Sequence, residues 1–207
     1  FHPRPHSTMT SNMQAIEALA AEILKEGSDD PAVGTLACRR GVSANAVSQS
    51  GWPLIVIAAN FNKPKQTEEL LRQGANVDLQ NGLGETALWV AANKGFVAVV
   101  ELLLRNGANV DLPKSNGATP LFMAAQEGRL DMVAKLIEHG AKTDTQNDTG
   151  MTALSIAANC LHKDIVTTLI AAGACVRVRD KDGDLPRECT SNSTVRAAHD
   201  DAVIARS

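Results

Sequence analysis

A 33-residue step is written through this chain in glycine: Gly51, Gly84, Gly117, Gly150 and Gly183 all stand at that spacing. A second register, Gly74, Gly107, Gly140 and Gly173, keeps the same step. The alanine pairs Ala58-Ala59, Ala91-Ala92, Ala124-Ala125 and Ala157-Ala158 make a third. Registers that agree over successive copies define a repeat array, in which one unit is too small to bury its own apolar face and has to stack on its neighbours. The copies run 48–80, 81–113, 114–146 and 147–179, with residues 1–47 before them and 180–207 after.

Each copy reads as a helix pair followed by an extended finger. In the third, Thr119 is a good N-cap and Pro120 suits the first helical position, where its missing N–H needs no partner. Leu121, Ala124 and Ala125 follow at helical spacing, small enough for neighbouring helices to approach. Gly128 supplies a turn, and a second helix from Leu130 to His139 places Leu130, Val133, Leu136 and Ile137 on one apolar stripe. Gly140 ends it in the left-handed conformation that glycine adopts freely. The expected fold class is therefore an all-α repeat solenoid.

At these residues the chain resembles the ankyrin-repeat family, whose pattern is G-x-T-P-L-H-x-A-A followed by V-V-x-L-L-x-x-G-A. The resemblance is carried by Gly84-Glu85-Thr86-Ala87-Leu88, Gly117-Ala118-Thr119-Pro120-Leu121 and Gly150-Met151-Thr152-Ala153-Leu154. It continues in Val99-Val100-Glu101-Leu102-Leu103 and Gly107-Ala108-Asn109-Val110-Asp111. It implies stacked helix-turn-helix repeats with β-turn fingers. The first copy departs from the pattern at Gly51-Trp52-Pro53-Leu54-Ile55, which lacks the Thr cap. Its inter-helix turn position holds Asn62, which tolerates the left-handed region. The fourth copy holds Leu161 there, where a bulky side chain costs energy or forces another turn. The family's His is replaced by Val56, Trp89, Phe122 and Ser155, so packing has to substitute for its hydrogen bonds.

The ends read as caps. Residues 1–10 are expected to be a tail or cloning scar, and 11–47 a degenerate N-terminal capping repeat led by a helix from Asn12 to Gly27. Residues 180–207 are expected to form a C-terminal capping repeat with a last helix from Thr194 to Ala205.

Charge and composition narrow the function. With 20 basic and 23 acidic residues the net charge is −3, whereas a nucleic-acid binder needs a clustered basic surface. No stretch approaches the roughly 20 apolar residues of a bilayer span, and no apolar leader is expected at the N-terminus. Four scattered cysteines, Cys38, Cys160, Cys175 and Cys189, suit a reduced protein of the cytoplasm or nucleus. Cys160 with His162 lacks the further ligands of a zinc site, so no metal and no cofactor are expected. The histidines, His2, His6, His139, His162 and His199, adjoin no nucleophile motif, and Gly82-Leu83-Gly84 belongs to a turn between copies, not to a phosphate loop. His162 reads as structural. Asp78, Asp111 and Asp144, again 33 apart, read as finger residues that bond to their own turns. No catalytic residue emerges.

The resemblance implies a monomeric, non-enzymatic scaffold that binds a protein or extended peptide on its concave helix face and finger tips. The alternative is a regulatory or targeting segment of a larger enzyme assembly, such as a ligase substrate receptor. Candidate contact residues are Trp52, Leu83, Glu85, Asn116 and Met151 at the fingers, with Trp89 and Phe122 as an aromatic centre. Asn60, Asn93, Gln126 and Asn159 stand 33 apart at the ends of the first helices. A carboxamide both donates and accepts, so such a row can bond the backbone of an extended segment without reading its sequence.

Overall fold

The computed structural model describes residues 6–24, 42–186, 188 and 193–206. Among them lie helix α1 (His6–Leu24) and four helix pairs. The pairs are α2 (Leu54–Asn60) with α3 (Pro64–Arg72), α4 (Ala87–Lys94) with α5 (Val97–Arg105), α6 (Pro120–Gln126) with α7 (Leu130–Glu138), and α8 (Ala153–Asn159) with α9 (Lys163–Ala171). The last helix is α10 (Ser193–Arg206). First helices begin at 54, 87, 120 and 153 and second helices at 64, 97, 130 and 163, so the 33-residue step is a step in structure. Strand pairing among the described residues reduces to one isolated bridge, Val47 with Pro53. No described helix is long and apolar enough to cross a membrane.

The caps explain where the first helices start. Thr86, Thr119 and Thr152 each accept a hydrogen bond through Oγ1 from the backbone N–H three residues on, satisfying one of the orphan donors of a helix start. Pro53 occupies the cap of α2 and offers no side-chain bond, as its sequence demands. Between the helices of each pair, Asn62, Gly95, Gly128 and Leu161 all take positive φ, at 52°, 78°, 70° and 66°. The bulky Leu161 keeps the family turn and does not force another.

The chain divides into two compact units, 1–91 with 98–108, and 92–97 with 109–207. In the first unit, Ile16, Leu19 and Ala20 of α1 are buried with Leu54, Ile55 and Val56 of α2, and α1 packs on α2. In the second, Leu121, Ala124 and Ala125 of α6, Val133 and Leu136 of α7, and Leu154, Ala157 and Ala158 of α8 are all buried. There α10 packs on α9, burying Ala198 and His199.

Several expectations are corrected at this level. The N-terminal helix starts at His6, six residues before the expected Asn12. The last helix extends one residue beyond the expected bounds at each end. In α7 the buried face is Met132, Val133 and Leu136, whereas of the expected stripe Leu130 is 38% exposed and Ile137 is half-buried. Residues 25–41 of the expected N-terminal capping repeat, with the end of its helix, fall outside the described residues.

Candidate interaction surface

Every copy is joined to the next by one hairpin, built the same way from backbone. Asn81 N–H donates to Glu85 O at 3.0 Å and Gly84 N–H to Asn81 O at 2.9 Å. The same pair of bonds recurs from Ser48, Lys114, Asn147 and Asp180. A side chain then braces the turn. Asn81 Oδ1 accepts from the N–H groups of Leu83 and Glu85, Asn147 Oδ1 from Thr149 and Met151, and Asp180 Oδ1 from Asp182 and Asp184. These Asx turns went unnoticed in the sequence, although an Asn or Asp three residues before the finger glycine was the signal for them. In the third copy the Lys114 side chain cannot accept, and Asn116 Oδ1 takes over, accepting from Ala118 N–H at 3.2 Å.

The hairpins are therefore ordered before anything binds, and their two central residues are exposed in every copy: Gln49-Ser50, Gly82-Leu83, Ser115-Asn116, Asp148-Thr149 and Lys181-Asp182. Within the second unit the fingers are also tied lengthwise. Asp111 Oδ1 accepts from Lys142 N–H at 2.9 Å and Asp144 Oδ1 from Cys175 N–H at 2.8 Å. In the first unit Asn45 Oδ1 does the same for Asn76 N–H. Asp111 and Asp144 thus bond 31 residues ahead, beyond the turns where their bonds were expected, although Asp144 Oδ1 also accepts locally from Thr143 Oγ1 at 3.4 Å. Their register carries them past the turn to the start of the next finger.

The expected contact residues fall into three groups. Leu83, at 57% exposure, stands at a finger tip, and Asn116 and Asn159 are exposed. Trp52, Asn60, Asn93, Gln126 and Met151 are half-buried. Glu85, Trp89 and Phe122 are buried at 8%, 4% and 5% exposure. That corrects the aromatic centre: Trp89 and Phe122 are core side chains, with too little accessible area to anchor a partner. Glu85 is likewise committed, its Oε2 accepting from Asn81 Nδ2 at 2.9 Å. Spacing by four aligned Glu85 with Trp89, and Phe122 with Gln126 one copy on, but the chain itself covers Glu85, Trp89 and Phe122.

The carboxamides fare differently. Among the described residues the side chains of Asn93 and Asn159 have no hydrogen-bond partner, and Gln126 Nε2 makes one long contact, 3.3 Å, to Glu127 Oε1. Asn93, Gln126 and Asn159 all belong to the second unit, so that unit presents equivalent amides whose donors and acceptors are largely unspent.

His162 is structural. Its Nε2 lies 3.0 Å from Gln126 O; a carbonyl only accepts, so Nε2 carries the proton here. Cys160 and Cys175 are free thiols. Burial, and then the charge of Glu127, push the Cys160 thiol above its ordinary range, so it is held in the unreactive protonated form. Among the described residues no group of three or more His, Cys, Asp or Glu comes together that could hold a metal ion.

Comparison with known proteins agrees with this architecture. The family model for ankyrin repeats matches the chain over residues 11–113, 54–147 and 99–182. The crystal structure of the ankyrin repeat domain of Bcl-3, described as a unique member of the IkappaB protein family, superposes with a TM-score of 0.79 at 28% identity, covering 87% of this chain and 80% of that one. No curated protein sequence matches the chain.

Proposed function

This chain belongs to the ankyrin-repeat family, whose repeats generally mediate protein–protein interaction, and from that membership we propose that it is a non-enzymatic, monomeric scaffold that docks an extended protein segment. Docking uses ends of the first helices and finger tips, the repeats being the four of 48–179 with capping repeats at 11–47 and 180–207. The observation that carries this reading is the set of unspent carboxamides Asn93, Gln126 and Asn159, beside hairpins already braced by their own Asx bonds. A surface ordered in advance spends less of its binding energy on ordering, and amides in register answer a backbone that offers donors and acceptors alternately. The free Cys160 and Cys175 thiols suit the cytoplasm or nucleus.

The test is affinity. With a partner isolated by cross-linking and affinity capture, the Asn93→Ala/Gln126→Ala variant is expected to bind about 5- to 150-fold more weakly, since each lost neutral hydrogen bond costs about 0.5–1.5 kcal/mol. Leu83→Ser tests the finger tips in the same assay. Unchanged affinity in both folded variants rejects this surface.

A further inference from the structure

We propose that the groove between α1, the first hairpin and α2 receives a cationic side chain, lysine or arginine, from the bound protein. This rests on the reading that the chain binds proteins, and it gives that partner a chemistry. The groove has a volume of about 210 Å³ and is mostly apolar, with Trp52, Phe61, Ile57 and Ala20 among its walls and Glu17 at its edge. That volume falls below the roughly 300 Å³ where pockets for whole small molecules begin, so one side chain is the size it suits.

Three elements contribute what a cation needs. Trp52, half-buried, comes from the hairpin, and Phe61, 45% exposed, from the end of α2. The other copies have no such aromatic pair. The position of Trp52 is held by Glu85, Ala118 and Met151, and that of Phe61 by Lys94, Glu127 and Cys160. Neither ring is therefore demanded by the repeat itself. Glu17 comes from α1, outside the repeats, and its Oε1 accepts from Gln49 N–H at 2.6 Å. That bond holds the carboxylate against the hairpin while leaving it further acceptor capacity.

Charge decides the occupant. Among the described residues lining the groove, Glu17 is the one charged side chain. An acidic group entering would be repelled by it, and an apolar one would strip water from the carboxylate without replacing the lost bonds. A lysine or arginine lays its methylene stem on Ile57 and Ala20, sets its charge against the aromatic rings and gains a charge-assisted bond to Glu17.

The experiment uses the whole chain labelled with ¹⁵N, following the indole N–H signals of Trp52 and Trp89. The probes are the N-acetyl amides of lysine, arginine, norleucine and glutamate. The lysine and arginine probes are expected to shift the Trp52 signal saturably, with half-saturation about 5-fold or more below norleucine, leaving the buried Trp89 unmoved. Glu17→Gln keeps an oxygen for Gln49 N–H, so the fold stands while the preference for lysine over norleucine should fall to the roughly 3-fold that the rings alone supply. Phe61→Leu keeps an apolar wall and should weaken lysine alone, by about 3-fold. Norleucine binding as well as lysine, a lysine preference that Glu17→Gln leaves unreduced, or no response of Trp52 to any probe overturns the proposal. None of those results touches the Asn93 and Gln126 measurement, and a failure there leaves this titration standing.

Discussion

Leu161 holds φ at +66° and leaves half its surface, 51%, in solvent. A left-handed backbone costs an L-residue with a Cβ about 1–2 kcal/mol, and an exposed leucine recovers little of that by burial. Glycine removes the clash but loses more chain entropy on folding, about 0.5–1 kcal/mol. Leu161→Gly is therefore expected to stabilise the chain by about 0.5–1 kcal/mol, read as a higher urea midpoint at unchanged slope. Asn62 at +52° is the internal control. Its side chain tolerates the region, so Asn62→Gly should move the midpoint much less. A lower midpoint for Leu161→Gly means the turn is not strained.

At the scale of elements, the turn between α6 and α7 is joined to the turn between α8 and α9 through a ring. A Cβ built on Gly128 would meet His162 Cε1 at 2.7 Å, whereas one on Gly140 meets nothing within 4 Å. Both glycines have positive φ, +70° and +83°, so substituting alanine strains both backbones alike. The difference isolates the ring. Gly128→Ala should push His162 off the Gln126 carbonyl and cost about 0.5–1.5 kcal/mol more than Gly140→Ala, the worth of that hydrogen bond. In a His162→Ala background the difference should vanish. A penalty that persists there places the clash elsewhere. The His162–Gln126 bond also marks how far the sequence was legible. Threonine caps, turn glycines and helix starts are local and repeat every 33 residues, so α6 and α7 could be placed to within a residue. The reach of Asp111 to Lys142 N–H, and the covering of Trp89 and Phe122 by the chain itself, are tertiary. Helical spacing puts a residue on a face without saying what lies against that face. The groove at Glu17 was illegible for the same reason. It needs α1 brought against a hairpin 32 residues away.

At the scale of the whole molecule, stability is a sum of neighbour terms if the stack is one-dimensional. Leu103 and Leu136 lie in different units, and both are fully buried, at 0% exposure. Replacing either by alanine removes transfer energy and leaves a cavity, at a cost of about 2–5 kcal/mol. Native-state hydrogen exchange shows where that cost is felt. In the unmodified chain the amides of α1 and α10 should exchange before those of α4 and α5 if neighbouring copies stabilise one another. In Leu136→Ala the amides of α6 to α9 should lose most protection, and those of α1 to α3 should lose less. In Leu103→Ala the order should reverse, with α2 to α5 affected first. Equal loss along the whole chain in both variants would mean a single cooperative block, and α4 and α5 exchanging before both ends would reject the nearest-neighbour picture. The same measurement bears on function, because a finger held by backbone and Asx bonds within its own hairpin should keep its protection even when a distant copy is loosened. Asn147 accepts from both Thr149 and Met151, so the Met151 amide should stay slow in Leu103→Ala.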